Sequence, residues 1–395
     1  MSPVLQLLSQ LVRINSVNPA YADGPGEAQI AAFIQQFFEE HEISVTSREV
    51  FPGRPNILAR LPGRNRSRCL VLEAHTDTVS IKGMTIPPFD PCIRDGKLHG
   101  RGSCDTKAGL AAMMQAMISL KEEGVTPPCD VLLCAAVDEE YSYRGVVSLC
   151  QDLRADAAIV AEPTGLRCVI ATKGVLRWRI RVQGRAAHSS RPQLGINAIT
   201  HMARLIIALE DDTASLGHRP HPLLGPPTCN VGVIHGGVQV NFVPDECVIE
   251  IDRRLLPGET VAGVLAHYQG ILDDLAARFP GFDAAMEEPM LTDEALETAS
   301  DQPVVRTATA VLESLGLEPR PCGVPFGCDA SKLSRAGVPS IVFGPGSIDR
   351  AHAAVEYVET AEVEQAVEFY RRFILAFEGD APTLRNLAPS AMPPS

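Results

Sequence analysis

Residues 69–77 read Cys69-Leu70-Val71-Leu72-Glu73-Ala74-His75-Thr76-Asp77, an apolar run that passes without a break into a histidine and an aspartate. Apolar residues that follow one another, rather than alternate, describe a short strand covered on both faces. Open α/β sheets take their ligands just outside the carboxyl ends of their strands. The stretch therefore points to a fold class and also to the place where chemistry belongs.

The same grammar recurs outward from it. Val131–Val137 runs into Asp138-Glu139-Glu140, Ala157–Ala161 into Glu162-Pro163, and Ser340–Phe343 leads to His352. Helical patterns separate these strands, at Glu27–His41 and in the Met-rich stretch Lys107–Glu122. From 174 the texture changes: Leu176, Trp178, Ile180 and Val182 alternate with Arg177, Arg179 and Arg181, the period of a strand with one face in water. Helices at Ile196–Glu210 and Glu259–Ala277 and strands at Cys229–His235, Cys247–Arg253 and Phe282–Glu287 complete a β-α-β-β-α-β order, which is ferredoxin-like and self-contained. Beyond about residue 290 the first texture returns, with helices at Val304–Leu315 and Ala361–Phe377. The expected domains are 1–173 with 290–395, interrupted by an insertion at 174–289. The Pro- and Ala-rich tail from Gly379 has nothing to bury and is expected to be disordered.

A chain of 395 residues exceeds the ~250–300 residues that one core usually serves, which agrees with two domains. The formal charge of −13 argues against a nucleic-acid partner, since phosphate binding needs clustered Lys and Arg. Eleven cysteines include no CxxC pair and several sit inside apolar runs, so reduced buried thiols are expected. At the N-terminus Ser2 as cap, Pro3 at the first helical position and apolar residues at helical spacing describe an amphipathic helix rather than a secretory leader. No apolar stretch approaches the ~18–20 residues of a membrane span. These features describe a soluble, cytoplasmic protein.

The strand ends gather potential ligands. An HxD triplet alone fits a capped turn, but His75 leaves the end of a buried strand and Asp77 lies within reach of its second ring nitrogen, as outer partners of metal-bound histidines do. Three adjacent carboxylates at 138–140 repel one another. A solvated turn would tolerate them, whereas a divalent cation would remove the conflict and leave one glutamate free as general base. Asp105 suits either the N-cap of Lys107–Glu122 or a carboxylate bridging two ions. With Glu162 and His352 the set is nitrogen and oxygen without thiolate, suited to Zn²⁺, Mn²⁺ or Co²⁺.

His75-Thr76-Asp77, Gly100–Gly109, Asp138-Glu139-Glu140, Ala161-Glu162-Pro163-Thr164, Gly184–Ser189 and Phe343-Gly344-Pro345-Gly346 through His352 occur in the order and spacing of the co-catalytic zinc amidohydrolase superfamily. The chain resembles that superfamily, which includes acetylornithine deacetylase, succinyl-diaminopimelate desuccinylase, aminoacylase-1 and carboxypeptidase G. The resemblance implies an α/β fold: a phosphorylase/hydrolase-like α/β/α catalytic domain with an inserted ferredoxin-like α+β domain for lid and dimerisation. It makes His75 and Glu162 ligands of one zinc, Glu140 and His352 ligands of the other, and Asp105 the bridge, followed by a cis peptide at Asp105-Thr106. Glu139 becomes the general base and Asp77 the orienter of His75. His188 matches a histidine that reaches the partner subunit's active site in a homodimer. Arg254 resembles the arginine that holds the substrate carboxylate, with Arg253 adjacent; Asn230 and the backbone N–H groups of Gly344 and Gly346 are further candidates for binding substrate.

The function expected is metal-dependent hydrolysis of the amide bond of an N-acyl amino acid, in the manner of acetylornithine deacetylase. The alternative is a metallo-exopeptidase acting on dipeptides or glutamate conjugates, and outside enzymes a metal-binding scaffold. Ala353-Ala354-Val355 stands where many relatives have Thr-Pro, and Lys107-Ala108-Gly109 where Lys-Gly-Gly is common. These departures touch the pocket and leave the ligands intact.

Overall fold

The computed structural model describes residues 1–218 and 220–378; the tail from Gly379 lies outside the described residues. The chain divides into two compact units, one of 1–170, 298–322 and 328 onward, the other of 171–297 with 323–327. The inserted unit is thus wider than 174–289 at both ends and takes in a short return segment.

In the first unit the strands lie in the order Ser44–Phe51, Arg54–Leu61, Cys129–Ala136, Asn65–His75, Ala157–Val160, Ser340–Val342. The last four are mutually parallel and deliver their carboxyl ends to one edge. The first two form an antiparallel hairpin at the side of the sheet. The sequence pattern did not reveal that hairpin, because Ser44–Phe51 is polar and largely exposed and lacks a clean alternation.

Successive side chains of a strand point to opposite faces. Leu70, Leu72, Ala74, Val131, Leu133 and Ile159 join a core with the helices Pro3–Arg13, Ala28–Glu40, Lys107–Glu122, Pro303–Ser314 and Thr360–Ala376. Lys107–Glu122 is buried nearly all round, as its run of Ala, Gly, Leu and Met without a polar face requires. Val71, Leu132, Cys134 and Val160 point the other way, to the face carrying the short helices Arg144–Cys150 and Ala330–Arg335. The sheet is covered on both faces, thickly on one and thinly on the other.

Two expected caps are realised differently. The Ser2 hydroxyl makes no capping bond; its carbonyl accepts the Gln6 N–H at 3.1 Å. Thr106, not Asp105, holds the cap position of Lys107–Glu122, which frees the Asp105 side chain.

In the second unit the antiparallel order is Thr228–Gly236, Glu246–Leu255, Gly174–Gln183, Asp283–Met286. Helices Ala198–Leu216 and Val261–Arg278, capped by Asn197 and Thr260, connect them in the order β-α-β-β-α-β. Trp178, Ile180, Ile249, Met202, Leu205 and Tyr268 belong to its core. Arg177, Arg179 and Arg181 lie on the opposite face, paired with Asp252, Glu250 and Glu287. Among the described residues no helix is long and apolar enough to cross a membrane.

Candidate metal centre

Four segments of the first unit meet at the carboxyl edge of its sheet. His75 ends Asn65–His75, Glu140 follows Cys129–Ala136, Glu162 follows Ala157–Val160 and His352 follows Ser340–Val342. Asp105, from the turn before Lys107–Glu122, stands between the two histidines. His75 Nε2 lies 3.1 Å from Asp105 Oδ1 and 4.0 Å from Glu162 Oε1. His352 Nε2 lies 3.4 Å from Asp105 Oδ2 and 3.2 Å from Glu140 Oε1. Two groups that could each hold a metal ion result, His75-Asp105-Glu162 and Asp105-Glu140-His352. They share Asp105, one oxygen to each side.

The donor chemistry fits divalent cations. No Lys or Arg is ion-paired with Asp105, Glu140 or Glu162 among the described residues, although Asp105 and Glu162 are buried. Burial first, then repulsion from Asp105 and Glu139, pushes Glu162 well above the usual carboxylate range. Burial and the Asp105 charge also raise Glu140. Glu139 is pushed well up by burial, against the pull of His75 and with Asp329, Glu140 and Asp105 adding to the rise. Burial works against the Asp105 charge, but hydrogen bonds from His352 and His75 outweigh it and hold the group low. His352 is lifted to about 10 by its bonds to Asp105 and Glu140. Carboxylates desolvated together are costly, and bound cations are the natural compensation.

The shell around these groups joins Asp77 and Asp138 to Asn18, Arg54 and Glu356, which the sequence pattern did not single out. His75 Nδ1 lies 3.0 Å from the backbone carbonyl of Asp77, with the Asp77 carboxylate 3.6 Å away. The Asp77 carboxylate instead accepts the backbone N–H of Glu139 and of Glu140, each at 3.1 Å, and the Asn18 amide at 2.8 Å. Asn18 also donates to Asp138 at 3.0 Å, and Arg54 ties Asp138 to Glu27. Glu356 accepts the backbone N–H groups of Cys104 and Asp105 and pairs with the buried Arg101. The Asp105-Thr106 peptide is cis. Asn18 precedes a proline and lies 59 positions from its partner Asp77, so only folding brings them together.

Gly344 and Gly346 do not present free donors. The Gly344 N–H goes to Thr164 Oγ1 at 3.1 Å and the Gly346 N–H to Glu362 at 2.7 Å. A Cβ on Gly344 would lie 2.6 Å from the Glu162 carbonyl, so that glycine allows two strand-end turns to close on each other. Their expected part in anion binding is corrected accordingly.

In the second unit His188 sits on the short strand Ala187–His188, exposed, and its Nδ1 accepts the Ser190 N–H at 3.1 Å. A neutral imidazole with Nδ1 engaged as acceptor carries its proton on Nε2. Arg253 and Arg254, adjacent in sequence, are separated by the strand's alternation. Arg253 is 2% exposed and bound to Glu259, whereas Arg254 lies on the opposite face, bonded to Asp252. Asn230 pairs across strands with Asp252 and shares that face.

Residues 71–376 match the profile of peptidase family M20/M25/M40. An acetylornithine deacetylase of Proteus mirabilis is 32% identical over 386 residues, covering 94% of this chain and 96% of its own. Among solved structures, a tripeptidase from Staphylococcus aureus superposes with TM-score 0.80 at 23% identity, covering 95% of this chain and 98% of its own. A protein of Bacillus subtilis described as a dinuclear metal-binding peptidase from the M20 family reaches 0.72 at 15% identity, covering 94% and 96%. With most of its length matched and its strand-end groups converging as described, the chain belongs to peptidase family M20/M25/M40.

Proposed function

We propose that the protein hydrolyses the amide bond of an N-acyl amino acid, with two divalent ions, zinc first among them, held by His75-Asp105-Glu162 and by Asp105-Glu140-His352. The observation that carries this reading is the shared Asp105, flanked by one histidine and one glutamate on each side with Glu139 beside them. The acetylornithine deacetylase relative supports the acyl-amino-acid substrate class.

Such ions, when bound, polarise a carbonyl and lower the pKa of water. Glu139 takes a proton from the attacking water as oxygen bonds to the amide carbon, and returns it to the nitrogen as the C–N bond breaks. The products are a free carboxylate and an amine. Asp77 fixes the backbone that carries Glu139, so the base is held in place by the same turn that supplies Glu140. Arg254, on the solvent-facing side of its strand, binds the substrate carboxylate, with Asn230 beside it. In a homodimer the exposed His188 donates its Nε2–H to the developing oxyanion in the partner subunit's site.

The test is a hydrolysis screen of the Zn²⁺- or Co²⁺-loaded protein over N-acetyl, N-succinyl and N-formyl amino acids alongside dipeptides. Release of amine from an N-acyl amino acid as the fastest reaction supports the proposal. Faster cleavage of dipeptides overturns it.

A further inference from the structure

The thin cover on one face of the first unit's sheet leaves a cavity of about 470 Å³, bounded by strands Ser44–Phe51 and Arg54–Leu61, by Leu132 and by the segment 149–154. That volume is in the range of small-molecule sites. Its apolar surface comes from Leu58, Leu132, Leu149 and Leu153, and its charged rim from Arg48, Arg60, Arg154 and Asp152. Arg48 is paired with Asp152 and Arg60 with the buried Asp130, at 2.9 Å, so Arg154 leaves the rim with one positive charge in excess on a chain of net charge −13. Arg154 makes no ion pair among the described residues. Asp152 holds Arg48 through two bonds, at 2.8 and 3.0 Å, but its side chain is 66% exposed, so an incoming anion competes with it in water-accessible surroundings.

We propose that this cavity is a binding site, separate from the metal centre, for a small oxyanion carried on an apolar chain, a carboxylate or a phosphate ester. The head group meets the arginines, which match either anion bidentately, and the chain lies on the leucines. The site reaches the metal centre through a short path. Arg48 also donates to the Ser148 carbonyl at 3.1 Å, near the end of helix Arg144–Cys150, and that helix follows directly on the loop bearing Glu139 and Glu140. An occupant that draws Arg48 from Asp152 therefore loosens the end of this helix.

Isothermal titration of the full chain with octanoate and with octyl phosphate tests the site, with acetate and inorganic phosphate as head groups lacking the chain. Saturable binding of either long probe, weakened about tenfold in Arg154→Ala and again in Leu153→Ser, supports it. The tighter long probe then names the head group. The two variants alter surface or half-buried positions, and an unchanged melting temperature certifies their fold. No saturable binding of either long probe, or binding equal in wild type and both variants, overturns the site. Hydrogen exchange tests the path: faster exchange across 144–150 on binding supports it, and unchanged exchange overturns it.

Discussion

The carboxylate of Asp77 accepts the backbone N–H of Glu139 at 3.1 Å, and with its other oxygen that of Glu140 at the same distance. An aspartate two residues beyond one histidine thus fixes the position of the carboxylates on the neighbouring strand's loop. Its effect is on the loop at least as much as on the imidazole, whose Nδ1 is nearer to the Asp77 carbonyl.

Replacing that carboxylate should therefore act on the second metal group. Asp77→Ala leaves two backbone donors without their acceptor and the Asn18 amide with Asp138 alone, and loss of outer partners of this kind costs roughly 10–100-fold in metal affinity or activity. Metal titration should show the loss more strongly in the group containing Glu140 than in the group containing His75. Equal loss in both would mean that Asp77 acts mainly through the imidazole.

Glu139→Gln keeps the shape of the base and removes proton transfer. Turnover should fall by about 10²–10⁴-fold, the usual range for general acid–base loss, while metal content measured by elemental analysis stays the same. A variant with near-normal turnover would show that another carboxylate moves the proton.

The two adjacent arginines should separate cleanly. Arg253→Ala strips Glu259 of its buried partner and should cost about 3 kcal/mol in denaturant unfolding. Arg254→Ala should leave stability within about 0.5 kcal/mol and raise KM for the N-acyl amino acid, because a solvent-facing arginine contributes little to folding. The opposite pattern would exchange their roles.

Asp329 supplies a pH signature. Burial, reinforced by Asp77 and opposed by Lys332 and His75, lifts its carboxyl to about 7 in the folded chain, against an ordinary value of 3.8. A group raised on folding binds more protons when native. The stability it contributes is complete below its unfolded pKa and is lost as pH rises through about 7. Asp329→Asn should flatten the fall in stability between pH 4 and 7 seen for the wild type, as followed by thermal unfolding; equal slopes in the two proteins would remove this assignment.

Much of the molecule was legible from periodicity. The consecutive apolar runs at 69–74 and 157–161 are strands with covered faces, and the alternation from Leu176 to Val182 is a strand with arginines on its outer side. The convergence of His75, Glu140, Glu162 and His352 was readable because each ends or follows such a run, and that of Asp105 because it opens the helix Lys107–Glu122. The supporting groups were not. Asn18, Arg54 and Glu356 act on partners 59, 84 and 252 positions away, and nothing local in the chain marks a residue whose significance is a distant hydrogen bond. The N–H groups of Gly344 and Gly346 differ from their expected part for a related reason: a glycine-rich turn has the sequence of an anion cradle, while its donors are taken by Thr164 and Glu362.

The shared carboxylate of Asp105 is the centre of the account, and a metal titration tests it most directly. Zn²⁺ added to the metal-stripped chain and followed by calorimetry should bind to two sites, with protons released as His352, held at about 10, gives up its proton. In Asp105→Ala, with its fold verified by circular dichroism, both sites should weaken together. Two undiminished sites in that variant, or a single site in the wild type, would contradict the bridging role assigned to Asp105.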